Sequence, residues 1–485
     1  MSSPHTPESA APGAYWVAGK PVRHGAPTEI RNPYDGSVAG VVYHVDEQDI
    51  EAAVAAAEAA RRPAAQLSAH ARAEALAHLA RRLGERADEV ARLITAESGK
   101  PVKWARGEVT RAISTFRWAA EEARRFSGTL QRLDTDPDPV SRLALVRRVP
   151  RGPVLGITPF NFPLNLVAHK VAPAIAVGAP IVLKPAPSTP LTALLLGELL
   201  AETDLPEGTW SVLPMSNESA AHLVADPRLP VVSFTGSATV GWQIRDRVPR
   251  KHVTLELGGN AGVLVCRDWH DLETAAQRIA LLANAQGGQS CIAVQRVFAE
   301  AKIYPELVEA VVRHTAALKV GNPFDLETDV GPLINEAAAR RVESCLAAAV
   351  QAGATVLTGG ERVGAVVQPT VLADAPADSD VQREEIFGPV MTVTPVSSAA
   401  DGLARINDSR YGLQAGVFTN DVRLAFRAAA ELDVGGVIIG DVPTYRADQM
   451  PYGGVKDSGA GREGVHAAMV DLTDERVLVL TGVQP

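Results

Sequence analysis

The chain has little cysteine, and what it has is scattered. Cys266, Cys291 and Cys345 are its three thiols in 485 residues, odd in number and wide in spacing. That excludes a disulfide framework and a cysteine zinc site, and a reducing cytoplasm is the expected compartment. The eleven histidines contain no i,i+4 pair and no Cys-His cluster, so no metal site is expected. The fingerprint G-x-x-x-x-G-K-[ST] does not occur, and the one G-x-G-x-x-G, Gly459 to Gly464, lies far outside the strand–helix alternation of 154–257 where a dinucleotide fold would carry it. Positive charge is not in surplus either. The formal net charge of −9 argues against general binding to nucleic acid or an anionic membrane. The nearest approach to a membrane span, 164–183, contains Asn165, His169, Lys170, Pro173 and Pro180. It divides into a short helix and a buried strand instead. Residues 1–14, rich in Ser, Pro and Ala, lack the apolar stretch of a signal peptide and read as a disordered tail.

What is present is long enough for two or more domains. Strand-like pieces with turns occupy 16–45. Asp46 then caps an Ala-rich helix that Pro63 is expected to stop, and further helices follow over 68–98 and 102–125. Two strand-like runs flank the turn-forming stretch 134–139, and 476–481 is another strand. They read as a protruding hairpin and a partner strand of the kind that pairs across an oligomer interface. From Val154 short β runs alternate with helices to Leu257. This is the rhythm of a parallel sheet with crossover helices, hence an α/β dinucleotide-type fold. A second α/β block covers about 258–450.

Several short stretches carry chemistry. Gly287-Gly288-Gln289-Ser290-Cys291-Ile292 follows a helix predicted over 272–285 and puts a thiol on an open, glycine-rich turn. Pro159-Phe160-Asn161-Phe162-Pro163 follows the strand ending at Thr158 and holds the Asn161 amide stiffly, where it can donate to a developing oxyanion. Gly236-Ser237 lies between a strand and a helix N-terminus, a place that favours an anion. Glu256, among apolar neighbours before Leu257-Gly258-Gly259, should have a raised pKa suited to a general base. Lys184 ends a predicted parallel strand, where ligands bind in open α/β sheets. Glu385-Ile386-Phe387 places a carboxylate and an aromatic beside a turn.

Each stretch alone has an ordinary structural explanation. Together, in this order, Asn161, Lys184, Gly236-Ser237, Glu256, Cys291 and Glu385-Ile386-Phe387 resemble the NAD(P)-dependent aldehyde dehydrogenase superfamily. The stretches Asp329-Val330-Gly331-Pro332 and Pro451-Tyr452-Gly453-Gly454-Val455-Lys456 join that resemblance. Residues 163–170 and 441–448 are similar to a subgroup of lactaldehyde, glyceraldehyde and phosphonate-aldehyde dehydrogenases.

The resemblance implies a Rossmann-like cofactor domain (15–127 and 149–257), an α/β catalytic domain (258–450) and a β-hairpin oligomerisation element (128–148 and 468–485) of a homodimer or homotetramer. It implies Cys291 as nucleophile, Asn161 as oxyanion donor and Glu256 as the base that activates water. NAD or NADP would lie against Thr158, Pro159, Phe160, Lys184, Ser188, Gly236, Ser237, Leu257, Gly258, Glu385 and Phe387. NAD-preferring relatives often carry Glu where this chain has Pro187, so NADP use is open. Glu463 would relay protons. Leu166, His169, Ser290, Ile292 and Tyr445 are candidate walls of the aldehyde tunnel, with Arg111 and Arg446 holding an anionic tail. The alternatives are an enzyme that resolves its thioester with CoA, and a non-catalytic member of the fold.

Overall fold

The computed structural model describes residues 13–137 and 141–483. Most of the expected tail therefore lies outside the described residues, but its last residue does not behave as a tail. Ala14 is buried, and the backbone at Gly13 runs hard against the carbonyl of Val41. Asp46 caps Glu47–Gln66 by accepting from the Asp49 N–H at 2.9 Å. Pro63 does not stop this helix, which continues one turn beyond it. So near the C-terminal end a proline costs one ladder hydrogen bond, and the packing of Ala57, Ala60 and Ala64 outweighs that loss. Helices Ala69–Glu85, Ala87–Ser98 and Val102–Arg125 follow.

The larger sheet has eight strands, ordered Lys20–Val22, Tyr15–Val17, Trp210–Val212, Ile181–Lys184, Val154–Ile157, Val231–Thr235, His252–Glu256 and Gly459–Ala460. The five from Trp210–Val212 to His252–Glu256 run parallel. The chain builds outward from Val154–Ile157 on one side, then returns to build on the other. The reversal leaves a crevice between the ends of Val154–Ile157 and Val231–Thr235, where open α/β sheets bind ligands. The crossover helices Asn165–Val177 and Leu191–Ala201 are apolar almost all round and buried, as elements packed on several sides must be.

A seven-stranded sheet of residues 355–439 and 262–300 is parallel except at one edge. Three of its strands, Gly262–Val265, Arg296–Glu300 and Val390–Val396, are entered from loops carrying Gly258, Cys291 and Glu385. The C-terminal end of one sheet thus meets the entry side of the other. A three-stranded antiparallel sheet is made by Thr129–Arg132, Arg142–Pro150 and Thr473–Thr481. It leaves Leu130, Val477, Leu478 and Val479 exposed. No helix among the described residues is long and apolar enough to cross a membrane.

Candidate active site

A cavity of about 370 Å³ lies where the two sheets meet. The helix before the Cys291 loop, Leu272–Asn284, ends one residue sooner than expected. The chain then makes a tight 3₁₀ turn with Gln286 and Gly287 at positive φ (57° and 66°). Gly288 also has positive φ (68°), and a Cβ there would meet the Gly388 carbonyl oxygen at 2.1 Å. Two loops therefore pass backbone to backbone, which a glycine alone permits. Asn161 locks onto this turn. Its Nδ2 donates to the Gln289 carbonyl at 3.0 Å, its own carbonyl accepts from Gln286 Nε2, and its Oδ1 has no partner. An amide nitrogen has two hydrogens, so one remains for a ligand.

Cys291 sits at the cavity wall with its Sγ 3.2 Å from the Tyr452 hydroxyl. Burial pushes the thiol up to about 12, while the Tyr452 hydrogen bond and the Arg446 charge pull the other way. Glu256 ends its strand inside the cavity lining, and neither of its oxygens has a partner. Its carboxyl fits because Gly453 is bare: a Cβ there would stand 2.8 Å from Oε1. Burial and the nearby Glu463 charge raise its pKa well above the carboxylate range. Glu463 moves oppositely. Burial works to raise it, but Lys170 at 3.2 Å and Arg446 at 3.1 Å outweigh burial and hold it ionised. Two buried carboxyls pushed apart in this way are the usual mark of divided acid–base roles.

The far side of the cavity suits a dinucleotide. Ser237 precedes the helix Ala238–Arg247, yet its hydroxyl caps no N–H, leaving hydroxyl and helix N-terminus available to a phosphate. Glu385 accepts from the Gly259 N–H at 2.9 Å, and burial pushes it up to about 7 against that bond. A Cβ on Gly258 would lie 2.4 Å from its Oε2. Phe387, at a positive φ of 50°, meets Phe160 edge-on with ring centroids 5.8 Å apart.

A profile described as the aldehyde dehydrogenase family matches residues 16–478. The chain belongs to the aldehyde dehydrogenase family. It is an NAD(P)-dependent aldehyde dehydrogenase. A 3-sulfolactaldehyde dehydrogenase of Priestia aryabhattai is 41% identical over 453 residues, covering 93% of this chain and 94% of that one. Aldehyde dehydrogenase 21 of Physcomitrella patens, solved with its reaction product succinate, is 44% identical with a TM-score of 0.96, covering 98% and 99% of the two chains. An NADP-dependent glyceraldehyde-3-phosphate dehydrogenase of Bacillus halodurans, solved with NADP, is 34% identical with a TM-score of 0.93, covering 97% and 100%.

In this dehydrogenase most of the residues singled out from the sequence share one cavity. Pro159, Phe160, Asn161, Gly236, Ser237, Glu256, Leu257, Gly258, Ser290, Cys291, Ile292, Glu385, Phe387, Leu166, Arg111, Arg446 and Glu463 all line it. Thr158, Lys184 and Ser188 do not. Thr158 and Lys184 lie at the adjoining strand ends, where the Thr158 N–H donates to the Lys184 carbonyl at 3.2 Å. Burial pushes the Lys184 ammonium down to about 8 as its Nζ donates to Asn217 at 2.7 Å.

Two tunnel candidates are corrected. His169 is buried beneath the cavity, donating to Asp448 Oδ1 at 3.1 Å. Burial and Arg446 push its pKa down to about 4. Tyr445 is 51% exposed and is not among the residues that line this cavity. The two arginines both reach inward, Arg111 half-buried and the Arg446 side chain buried. Arg111 Nη2 donates to Asp448 at 2.9 Å, and Arg446 is buried, stacked 3.8 Å above the Tyr452 ring with its Nε unpartnered. The lining also includes Phe162, Asn165, Thr235, Arg341, Thr444 and Tyr452, which sequence reasoning assigned no role. All but Arg341 lie inside or beside the stretches singled out above.

Proposed function

We propose that this enzyme oxidises a small aldehyde bearing an anionic tail, through a covalent adduct on Cys291. The observation that carries the choice of substrate is Arg446. It lines the cavity of the nucleophile, and its Nε–H is buried without an acceptor. A buried unpaired donor costs about 1–3 kcal/mol, and a carboxylate, sulfonate or phosphate oxygen would relieve that cost. The local balance agrees. Arg111, Arg446 and Lys170 face two ionised carboxylates, Asp448 and Glu463, while Glu256 favours its neutral form. Among these five groups, three positive charges face two negative. The sulfolactaldehyde and succinate named for the relatives are anionic too.

The thiolate of Cys291 attacks the aldehyde carbon, and the carbonyl oxygen becomes an oxyanion. The free hydrogen of Asn161 Nδ2 and the Cys291 backbone N–H stabilise it, at about 3–4 kcal/mol per donor. Ser237 and the adjoining helix N-terminus would hold the cofactor pyrophosphate, Glu385 the nicotinamide ribose, and Lys184 the adenosine ribose. Bound NAD(P)+ supplies a hydride acceptor, and the acyl group is left on Cys291 as a thioester. Glu256, a strong base once deprotonated, takes a proton from water to release the acid. Glu463, tied to Lys170, Thr235 and Arg446, would pass the proton onward.

The test compares kcat/KM for succinate semialdehyde and butanal, with both cofactors, in wild type, Arg111→Ala and Arg446→Ala. A preference for the anionic substrate that collapses in the variants supports the reading. Equal loss on both substrates sinks it. We further propose that the exposed apolar strands of the three-stranded sheet make this a homo-oligomer. Light scattering showing a stable monomer would remove that proposal.

A further inference from the structure

Tyr452 belongs to no role assigned above, yet its side chain lies within hydrogen-bond reach of the reacting sulfur. Its hydroxyl lies 3.2 Å from Cys291 Sγ. Its backbone pairs with Glu463 through the Glu463 carbonyl at 2.9 Å and the Glu463 N–H at 2.6 Å, so the ring does not depend on the sulfur for its place. The ring is buried and packs with Ile292 and Leu413. Its face carries the Arg446 guanidinium, 3.8 Å from the centroid. A cation on the ring face withdraws electron density and makes the phenol a better donor. We propose that Tyr452 is a further catalytic residue, whose phenol donates a hydrogen bond to the Cys291 sulfur and stabilises the thiolate that attacks the aldehyde.

The direction of the bond follows from chemistry. Burial and the adjacent sulfur hold the phenol well above its usual value, so it stays protonated, and a thiolate can only accept. In the attack the phenol keeps its own proton. The thiol proton leaves to water, a sulfur lone pair forms the S–C bond, and the carbonyl π pair moves to oxygen. The need for such a donor is local. Burial raises the thiol, with Glu385 and Glu256 adding to it, and against these the Tyr452 hydrogen bond is the largest opposing influence. Arg446 is thereby coupled to the nucleophile through the ring as well as facing the substrate.

The assignment rests on Cys291 as nucleophile, and it is tested without turnover. The rate of alkylation of Cys291 by iodoacetamide is followed against pH by peptide mapping, in wild type and in Tyr452→Phe, which keeps the ring and its stacking. A hydrogen bond to a charged acceptor corresponds to a shift of about 1–2 pH units. The more basic thiolate recovers part of that in reactivity, so alkylation below the plateau should slow about 4- to 15-fold. The profile should move to higher pH at an unchanged thermal midpoint, and kcat/KM should fall with little change in aldehyde KM. Uniform replacement of tyrosine by 3-fluorotyrosine, a more acidic phenol, should move the profile the other way. Superimposed profiles for wild type and Tyr452→Phe would overturn the proposal. NAD(P)H production surviving in Cys291→Ser would overturn it by a separate route, by removing the nucleophile itself.

Discussion

Glu256→Gln separates the two halves of the reaction. The substitution keeps the shape of the side chain, so the bare space over Gly453 still accommodates it. It removes the carboxylate proposed to deprotonate water and leaves Cys291, Asn161 and the cofactor face untouched. A positioned general base contributes about 10²- to 10⁴-fold, or about 3–5 kcal/mol at 1.36 kcal/mol per tenfold. The wild-type carboxyl is buried with both oxygens unpartnered and stands against the Glu463 charge. That carboxyl already favours its neutral form, so a neutral amide should leave the thermal midpoint about unchanged. In a stopped-flow assay with saturating aldehyde and cofactor, the variant should give a burst of about one NAD(P)H per subunit. A steady state at least about 100-fold slower than wild type should follow. Free acid, not acyl-CoA, should be the wild-type product with CoA present. A variant that keeps near-wild-type turnover, or that loses the burst along with the steady state, would refute the assignment of Glu256 to deacylation alone.

Other outcomes follow from the same geometry. Asn161→Ala should lower the burst rate itself by about 10²- to 10³-fold, since the lost donor acts on the oxyanion; an unchanged burst would mean the oxyanion is held elsewhere. Gly288→Ala places a Cβ against the Gly388 backbone at positive φ. It should cost about 3 kcal/mol or more of stability, read as a lowered thermal midpoint, with loss of activity. Lys184, pushed down to about 8, is charged below that pH and neutral above it. NADP affinity should therefore weaken by up to about tenfold per pH unit above pH 8, and NAD affinity less; isothermal titration at pH 7, 8 and 9 checks this.

The sequence made the parallel sheet readable because short β runs and helices alternate without interruption from Val154 to Leu257. Bounds such as Asn217–Ala225 and Val231–Thr235 follow from that rhythm. It made the shared cavity of Asn161, Glu256 and Cys291 readable because each residue sits at a strand end or glycine turn, where side chains are aimed by the backbone. What stayed hidden depended on direction within irregular or uniformly buried segments. Helix Asn165–Val177 is buried on every face, so periodicity cannot tell that Asn165 and Leu166 reach the cavity while His169 turns to Asp448. Tyr445 and Arg446 are neighbours in a loop and face opposite ways, one to solvent and one inward. Arg341, on the helix Glu336–Gln351, has no local signature. Tyr452 lies 161 residues from Cys291, and only the fold brings them together.

In the proposed mechanism Cys291 carries the acyl group of an anionic aldehyde. The most direct test of that step is rapid acid quench of enzyme turning over succinate semialdehyde with NADP or NAD, followed by peptide mass mapping. An acyl adduct is expected on the peptide containing Cys291, accumulating in Glu256→Gln and absent, together with NAD(P)H, in Cys291→Ser. An adduct on another residue, or NAD(P)H formed by Cys291→Ser, would contradict the mechanism.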